Sequence, residues 1–368
     1  MSLRQIFPCS MYRYLVVILF VPALLLSGCA GLLESFPHPG SKAAPQASVR
    51  FPLPEEGVDV IGTLQVAIAN NEDTLADIAR RYNLGFDEIV AANPGVDPWL
   101  PREGTEILLP TVFVLPPGPR EGVVLNLPAM RLYYYPVPEE GKPAEVVTYP
   151  IGIGREGWET PLGEFTITQK TANPSWTVPA SVRREHAELG DPLPAVVPPG
   201  PDNPLGEFAM RLSLPSYLIH GTNKPWGVGM RVSHGCVRLY PEDIARLFPE
   251  VPLGTPVRIL NEPYLLGWRK GMLYLEAHVP LAEDGRSADR SIQLAEEALA
   301  QGNAGHAARL DPGRVTAVTV AEAGLPMPVL AGGADLAALV RHAPRVTSTP
   351  DWSPQTYEVE IAEGVPAE

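Results

Sequence analysis

The sequence predicts a mainly β protein in which a β-sandwich domain is preceded by a small βααβ module. Proline accounts for 43 of 368 residues, more than twice the usual share of ~5%, and proline is disfavoured inside helices. Many short apolar runs bounded by turn residues fill the middle of the chain, as strands of a two-layer β fold do. Residues 63–110 instead change from a strand period to a helical period and back.

The composition limits the classes of function. The formal net charge of −14 argues against non-specific nucleic-acid binding, which needs basic patches. Acidity by itself is mainly a property that favours solubility. A hydrophobic content of 45% is enough for a packed core, and the length favours more than one domain.

Residues 1–28 are predicted to be an export signal. Arg4 and Arg13 precede an apolar run over 15–26, which is shorter than the ~20 residues of a transmembrane helix. The run ends in Leu-Ser-Gly-Cys29, which resembles the lipobox of bacterial lipoproteins. This resemblance implies a lipidated Cys29, and the following Ala30 implies sorting to the outer membrane, on its periplasmic side. An ordinary signal peptide with an incidental cysteine is the alternative.

Residues 29–57 and 58–112 are expected to be a tether and a small folded module. The first segment is rich in proline, glycine and charge and has no apolar period. The second has an alternating strand over 64–68, a helix opened by a capping box from Thr74 to Asp77, a second helix that stops at Asn93 and a closing strand in GTEILLP. The pattern resembles a LysM domain, which implies binding to the N-acetylglucosamine backbone of peptidoglycan or chitin. A LysM fold that only packs against its neighbour is the alternative.

Residues 120–262 are predicted to form the β-sandwich. The expected strands are VVLNLP, RLYYYPV, VVTYPIGIG, EFTITQK, FAMRLS, YLIHG and PVRIL. PEDIARLF is the only expected helix, with Pro241 at its first position and Glu242 and Asp243 at the positive end of its dipole.

Residues 263–368 are expected to be a C-terminal extension that is partly irregular and carries no evident chemistry. A hairpin is expected to turn at Lys270-Gly271, and a helix is expected over 287–300. One last strand is expected in TYEVEIA. The hairpin face would consist of Leu273, Leu275, Ala277 and Val279.

The stretch LIHGTNKPWGVGMRVSHGCVRL, residues 218–239, holds the candidate catalytic residues. Of the three cysteines, Cys9 is removed with the signal and Cys29 is lipidated, so Cys236 remains as a free thiol without a disulfide partner. A nearby imidazole can lower the pKa of a thiol and so favour the nucleophilic thiolate. If YLIHG and VSHGCVR lie on neighbouring strands, His220 meets Cys236 from the side. His234 is only two residues from the cysteine, too closely tied to turn its ring onto the thiol, so it is expected to line the cleft while His220 acts as the base.

Two glycines adjoin the candidate catalytic residues: Gly221 follows His220, and Gly235 precedes Cys236. Gly235 lets a substrate carbonyl approach the backbone, and the N–H groups of Gly235 and Cys236 are expected to stabilise an oxyanion. No acidic residue lies in the stretch. The Gly221 carbonyl is therefore the expected group that orients His220.

The motif HG…SHGCVR strongly resembles the catalytic motif of bacterial L,D-transpeptidases. TPLGEFTI, NPSWTVP, VPPGPDNPLGEFAMRLS and YPEDIARLF extend the resemblance over about 120–280. It implies an L,D-transpeptidase-type sandwich without cofactor or metal, with Cys236 as nucleophile, His220 as base and Gly221 orienting the base. The other implied catalytic residues are Ser233, His234 and Gly235. Arg238 would hold the cysteine loop or a substrate carboxylate. The further candidate substrate-binding residues, Tyr217, Trp226 and Asn223, are named from their position beside the cleft sequence.

The resemblance implies a two-step reaction on peptidoglycan. Cys236 attacks the carbonyl of diaminopimelate, the third residue of a tetrapeptide stem, and D-alanine leaves. An amine then takes the acyl group, which gives a 3→3 cross-link or anchors an outer-membrane lipoprotein through a lysine. Water as acceptor would make the enzyme a carboxypeptidase. Carbapenems are expected to acylate Cys236.

Several alternatives remain at this point. Cys236 could be an inert buried residue, or a zinc ligand with His220 and His234, although no CxxC or HxxxH spacing is present. A cysteine protease would share the Cys-His pair, and a non-catalytic wall-binding protein would need only the LysM module. Arg238 could form a structural ion pair, and Tyr217 and Trp226 could pack in the core. His186 is expected at the surface.

Overall fold

The structure is a computed structural model that describes residues 49–284, 289–302 and 308–346. The expected signal peptide, Cys29, most of the tether and the strand expected in TYEVEIA lie outside these ranges. Within them, no helix has the length and apolar character needed to cross a bilayer.

The regular elements follow one another along the described chain. The first are β1 Arg50–Pro52, β2 Val60–Gly62, β3 Gln65–Ile68, α1 Leu75–Arg81, α2 Phe86–Ala92, β4 Glu106–Leu109 and β5 Val112–Val114. The central ones are β6 Gly122–Asn126, β7 Arg131–Tyr135, β8 Glu145–Pro150, β9 Ile153–Gly154, β10 Gly163–Ala172, β11 Trp176–Thr177, α3 Ala180–Glu188, β12 Val196–Val197, β13 Phe208–Leu212, β14 Leu218–His220, β15 Arg231–Ser233, β16 Val237–Arg238, α4 Pro241–Glu250 and β17 Pro256–Leu260. The last are β18 Tyr264–Arg269, β19 Met272–Ala277, α5 Asp289–Gln301, α6 Pro312–Ala321, β20 Met327–Pro328, α7 Leu336–His342 and β21 Arg345–Val346.

The βααβ module predicted from the sequence is present. β3 and β4 pair antiparallel around α1 and α2. The Thr74 hydroxyl accepts from the Asp77 N–H, and the Asp77 carboxylate accepts from the Thr74 N–H, so the expected capping box is confirmed. Asn93 ends α2, and its side chain hydrogen-bonds to both backbone groups of Leu108, which joins the helix end to β4.

The expected β-sandwich is confirmed, and the long strand β10 belongs to both of its halves. The sheet order is β1-β8-β7-β6-β17-β10-β13-β14-β16. β10 pairs with β17 through its first half and with β13 through its second half, and the register shifts between Ile167 and Gln169. Strands that pass from one layer to the other commonly bend at such a bulge. The main core lies between the two halves, with residues such as Val123 and Leu132 from one and Met210 and Ile219 from the other.

Helix content in the sandwich domain exceeds the expectation. PEDIARLF forms the predicted helix, α4, with Pro241, Glu242 and Asp243 in its first turn. The expectation that this would be the only helix was wrong, because α3 is also present. The polar sequence of α3 buries only Val182, so it carries too little apolar period to be recognised.

The described residues of the C-terminal extension form helices α5–α7 and strands β18–β21, and its first two strands form a hairpin. The hairpin β18–β19 turns at Lys270 and Gly271, which both have positive φ, 51° and 74°, as a two-residue hairpin turn requires. The expectation for Val279 was wrong: β19 ends at Ala277, and Val279 is 62% exposed. β21 pairs with β3, so the extension adds a strand to the sheet of the LysM-like module.

The LysM-like module is joined to the sandwich by buried contacts. Its core residues, including Leu75 and Ile89, share one cluster with Tyr133 and Val146 of the sandwich sheet. The buried Arg131 guanidinium lies 2.7 Å from Glu88 Oε2, in α2. This interface is therefore part of the core and not a flexible contact between separate domains.

Polar contacts extend the same interface to α4 and to the loop before β15. Arg80 pairs with Glu242 at 2.7 Å, and the Asn83 amide donates to the buried Asp243 at 2.8 Å. The Asp87 N–H, at the start of α2, donates to the Gly229 carbonyl at 3.0 Å. A Cβ on Gly229 would lie 2.2 Å from the Gly85 Cα, so the two backbones approach as closely as glycines allow.

Candidate active site

The two segments predicted to meet are adjacent parallel strands. β14 pairs with β16, with Ile219 opposite Val237 and His220 opposite Arg238. Ile219 and Val237 are buried in the main core. Because side chains alternate across a strand, His220 and Arg238 point to the opposite face. Cys236 lies two residues before Arg238, so continuing the register places it on the same face as His220 and diagonal to it.

His220 is a buried, neutral imidazole in a fixed orientation. Its Nδ1 lies 2.6 Å from the Gly221 carbonyl oxygen, which can only accept, so Nδ1 carries the proton and Nε2 keeps the lone pair. The structure therefore places the Gly221 carbonyl as expected. Burial, together with the positive charge of Arg238, lowers the pKa of His220 from 6.5 to about 3.

Cys236 is partly exposed and is the free thiol of the described chain. Its Sγ donates to the Ser216 carbonyl at 3.6 Å, not to His220. Burial raises the pKa of the thiol, and the Leu218 backbone and the charges of Arg238 and Arg211 act in the opposite direction. These pKa shifts favour the neutral form of each group, whereas the sequence led us to expect a thiolate beside the imidazole.

Gly235 and Ser233 shape the cysteine loop through the backbone. The Ser233 hydroxyl donates to the Cys236 carbonyl at 2.6 Å and accepts from the Gly235 N–H at 3.1 Å. Gly235 has φ +99°, and a Cβ there would lie 2.9 Å from the Tyr217 ring. Glycine is thus required by the loop itself. The Gly235 N–H, expected to stabilise an oxyanion, is occupied by Ser233.

His234 belongs to a polar cluster with α3 instead of facing the thiol. Its Nε2 lies 2.7 Å from Glu185 Oε2 and 3.2 Å from an Arg155 nitrogen, and Arg155 also pairs with Glu185. The Trp158 ring stands edge-on to the imidazole, 4.7 Å between centroids. Burial lowers the pKa of His234, and Glu185 opposes that shift. His186, expected at the surface, is partly exposed and lies 6.1 Å from the His234 ring.

The four candidate substrate-binding residues differ in position. Arg238 makes no ion pair with any described carboxylate, its Nε is buried without a hydrogen bond, and burial lowers its pKa. Tyr217 packs partly on the main core. Trp226 is 59% exposed. Asn223 has a buried Oδ1 without a hydrogen-bond partner.

Sequence reasoning missed residues that support the loop from a distance along the chain. Thr160 accepts from the Gly154 N–H and donates to the Gly235 carbonyl at 3.0 Å. Glu185 contacts His234, and the Ser216 carbonyl contacts Cys236. Thr160 stands in TPLGEFTI, so the motif contained a signal, but nothing local distinguishes Glu185 from other surface acids. Within the described ranges, no group of three or more His, Cys, Asp or Glu side chains is arranged to hold a metal ion.

Two family models match the chain. The L,D-transpeptidase catalytic domain matches residues 120–259, and the LysM domain matches residues 70–110.

Similar proteins carry the same description. The probable L,D-transpeptidase YcfS of Escherichia coli strain K12 is 44% identical over 247 residues, which cover 66% of this chain and 76% of that protein. The probable L,D-transpeptidase YbiS of the same strain is 43% identical over 240 residues, covering 64% and 77%. Among solved structures, the catalytic domain of the Enterococcus faecium L,D-transpeptidase, determined by NMR, is 24% identical, with a TM-score of 0.27, over 38% of this chain and 96% of that one.

Proposed function

Because the chain belongs to the L,D-transpeptidase family, a family of cysteine acyltransferases that act on peptidoglycan, we propose that Cys236 is its nucleophile and His220 its general base. The observation that carries these roles is the shared face of β14 and β16, where the Gly221 carbonyl fixes the tautomer of His220. Because the resting thiol keeps its proton and His220 Nε2 is unprotonated, the proton passes from Sγ to Nε2 while the sulfur attacks. The site therefore works by general-base catalysis and not from a preformed ion pair.

The first half-reaction forms a thioester. His220 Nε2 takes the thiol proton while Sγ adds to the carbonyl of the third stem residue, diaminopimelate. The resulting oxyanion is stabilised by the Cys236 N–H, with the Gly235 N–H available only after it leaves Ser233. The intermediate collapses, the C–N bond breaks, and the imidazolium gives its proton to the amine of the departing D-alanine.

The second half-reaction transfers the acyl group. An acceptor amine attacks the thioester, His220 takes one amine proton, and Cys236 leaves as a thiolate that regains that proton. A diaminopimelate amine gives a 3→3 cross-link, and a lipoprotein lysine gives an anchored protein. Water in place of the amine gives an L,D-carboxypeptidase, the alternative activity of the same site.

Carbapenem acylation is the direct test of the nucleophile. We expect intact-mass spectrometry to find one adduct on the wild-type protein and none on Cys236→Ala. His220→Gln should slow adduct formation by roughly 10²-fold or more, as loss of a general base does. An adduct on folded Cys236→Ala would refute the assignment.

A non-catalytic wall-binding protein is the second candidate, favoured only by the presence of the LysM domain. The two are separated by incubating wild-type protein and Cys236→Ala with a tetrapeptide stem. Release of D-alanine by the wild type alone supports the enzyme. If neither releases it while both bind sacculi equally, the binding protein is the better description.

The remaining assignments are proposals from the sequence. Residues 1–28 would be the signal, 29–57 the tether, 58–112 the LysM domain, 120–262 the catalytic domain and 263–368 the extension. Ser233 and His234 would shape the cleft, and Arg238, Tyr217, Trp226 and Asn223 would contact substrate. Lipidation of Cys29 and an outer-membrane location are tested by membrane fractionation of Cys29→Ser, which should release the protein from the membrane.

A further inference from the structure

The cleft contains a second arginine that the reaction outlined above does not use. We propose that Arg211, with the polar side chains around it, forms a carboxylate subsite that binds the free C-terminal carboxylate of the leaving D-alanine. This inference rests on the proposed transpeptidase mechanism. It adds the residue that would select donor stems ending directly after the scissile bond.

The strand register places Arg211 on the reacting face. β13 pairs with β14, with Ala209 opposite His220 and Arg211 opposite Leu218. Continuing the β14–β16 register by one residue puts Leu218 in line with Cys236. Arg211, Leu218 and Cys236 therefore form one row across the sheet. Neighbouring strands are ~4.8 Å apart, so about 10 Å separates the first and last Cα atoms of the row.

A cavity of about 150 Å³ lies at one end of this row, where Arg211 and Leu218 line it and Cys236 does not. Gln169, Thr171 and Ser175 supply polar groups to its wall together with Arg211, and Leu205 and Leu218 supply apolar surface. This volume accommodates one small residue. Amide, hydroxyl and guanidinium donors around an apolar floor are the chemistry that recognises the carboxylate and methyl group of an alanine.

The Arg211 charge has no anionic partner in the described chain. Its Nε donates to the neutral Gln169 Oε1 at 3.2 Å, and the residue is exposed. The charge lies close enough to Cys236 to favour the thiolate. Arg238, the other arginine near the thiol, is more buried and faces His220. Of these two arginines, Arg211 is therefore the one available to pair with an incoming carboxylate. Its planar guanidinium can donate two parallel hydrogen bonds to the two carboxylate oxygens.

The chemistry of the donor fits these distances. The carboxylate of the leaving residue follows the scissile carbonyl by one residue, and consecutive Cα atoms are ~3.8 Å apart. When Sγ bonds to the scissile carbon, this carboxylate lies within roughly 7 Å of the sulfur. An arginine side chain reaching in from two strands away spans the remaining gap.

The test compares two donors, a tetrapeptide stem with a free C-terminal carboxylate and the same stem with a C-terminal amide. For wild-type enzyme we expect kcat/KM for the acid to exceed that for the amide ten- to a hundred-fold, the range of a charge-assisted hydrogen bond. Arg211→Gln should lose this preference, because KM rises for the acid and not for the amide, while the lost charge near Cys236 slows both donors by the same factor. Arg211→Lys should keep part of it, and Arg309→Gln, an exposed arginine in the C-terminal part, should keep all of it.

Each outcome has one meaning. Equal kcat/KM for acid and amide in the wild type, or an unchanged preference in Arg211→Gln, overturns the subsite and leaves the transpeptidase mechanism intact. A loss of equal size for both donors, with the acid-over-amide preference kept, limits Arg211 to an effect on the fold or on the Cys236 thiol and also overturns the subsite. Release of neither product by the wild type would instead contradict the proposed function.

Discussion

At the scale of residues, burial controls the state in which Cys236 and His220 rest. The same desolvation raises the pKa of the thiol and lowers that of the imidazole, because it disfavours whichever form is charged. The positive charge of Arg238 adds to the effect on His220 and opposes the effect on Cys236. A neutral pair protects the free thiol from indiscriminate reaction and leaves activation to the moment of attack.

Alkylation kinetics should report the raised pKa of the thiol. We expect the rate of Cys236 modification by iodoacetamide to increase with pH and to inflect above the ~8.5 of an ordinary cysteine. The Cys236→Ala protein serves as the background. An inflection near neutral pH would instead indicate the thiolate that the sequence led us to expect.

Protein stability should depend on pH through His220. The unfolded chain binds a proton at this residue below pH ~6.5, whereas the folded protein resists protonation until about pH 3. The stability that His220 contributes is therefore complete above pH 6.5 and falls as the pH decreases from there, by up to ~1.4 kcal/mol per unit. Urea unfolding at pH 7 and 5 should show this loss in wild type but not in His220→Gln. A parallel loss in both proteins would contradict the assigned pKa.

At the scale of elements, α3 is attached to the cysteine loop through one carboxylate. Glu185 accepts from His234 and Arg155, and these contacts lower its pKa. Only Val182 of this helix is buried, so apolar packing contributes little to its position. The hydrogen bond between Glu185 and His234 is thus a specific polar contact between α3 and the segment that carries Cys236, beside the ring contact of His186 with His234.

Glu185→Gln should change His234 in a measurable direction. The carboxylate raises the pKa of His234 while burial and Arg155 lower it, so its removal should lower that pKa further. An NMR titration of the His234 ring tests the shift, and kcat should fall if α3 moves away from the cleft. Glu188→Gln, an exposed change at the end of the same helix, is the control. An unchanged His234 titration in Glu185→Gln would show that the contact is absent in solution.

At the scale of the whole molecule, the LysM domain supports the catalytic domain physically. The shared core, the buried Arg131–Glu88 pair and the contacts of Asp87 with Gly229 and of Asn83 with Asp243 reach both ends of the cysteine segment. The C-terminal extension joins the same body through β21 and β3. The domains named by sequence therefore pack as one body in the described chain.

Deletion of residues 58–112 should abolish folding and activity together. The deletion exposes the core that the LysM domain shares with the sandwich sheet and leaves Arg131 buried without the Glu88 carboxylate, a loss that typically costs ~3–5 kcal/mol. Circular dichroism and peptide turnover of the truncated protein test this. A folded, active truncation would show that the interface is dispensable.

Trp99→Ala is the sharper probe of wall binding. This residue of the LysM domain is 66% exposed and stacks on Phe86, with centroids 5.6 Å apart, where it offers an aromatic face to a sugar without supporting the core. We expect weaker sacculus pull-down and unchanged kcat on a soluble stem peptide. Leu253→Ala, also exposed but in the catalytic domain, should change neither.

The sequence by itself determined the strands of the sandwich, the βααβ module and the reactive groups, although it missed α3. Strand alternation, the Thr74 capping box and the Pro241 helix start act within a few residues, so they can be read locally, and the spacing HG…SHGCVR already marked Cys236, His220 and Gly221. Tertiary structure alone decided what those groups face. Glu185 reaches His234 from 49 positions away, Thr160 reaches Gly235 from 75, and Asp87 meets Gly229 across a domain boundary. The neutral state of the pair also arises from burial, and burial depends on how distant segments pack together.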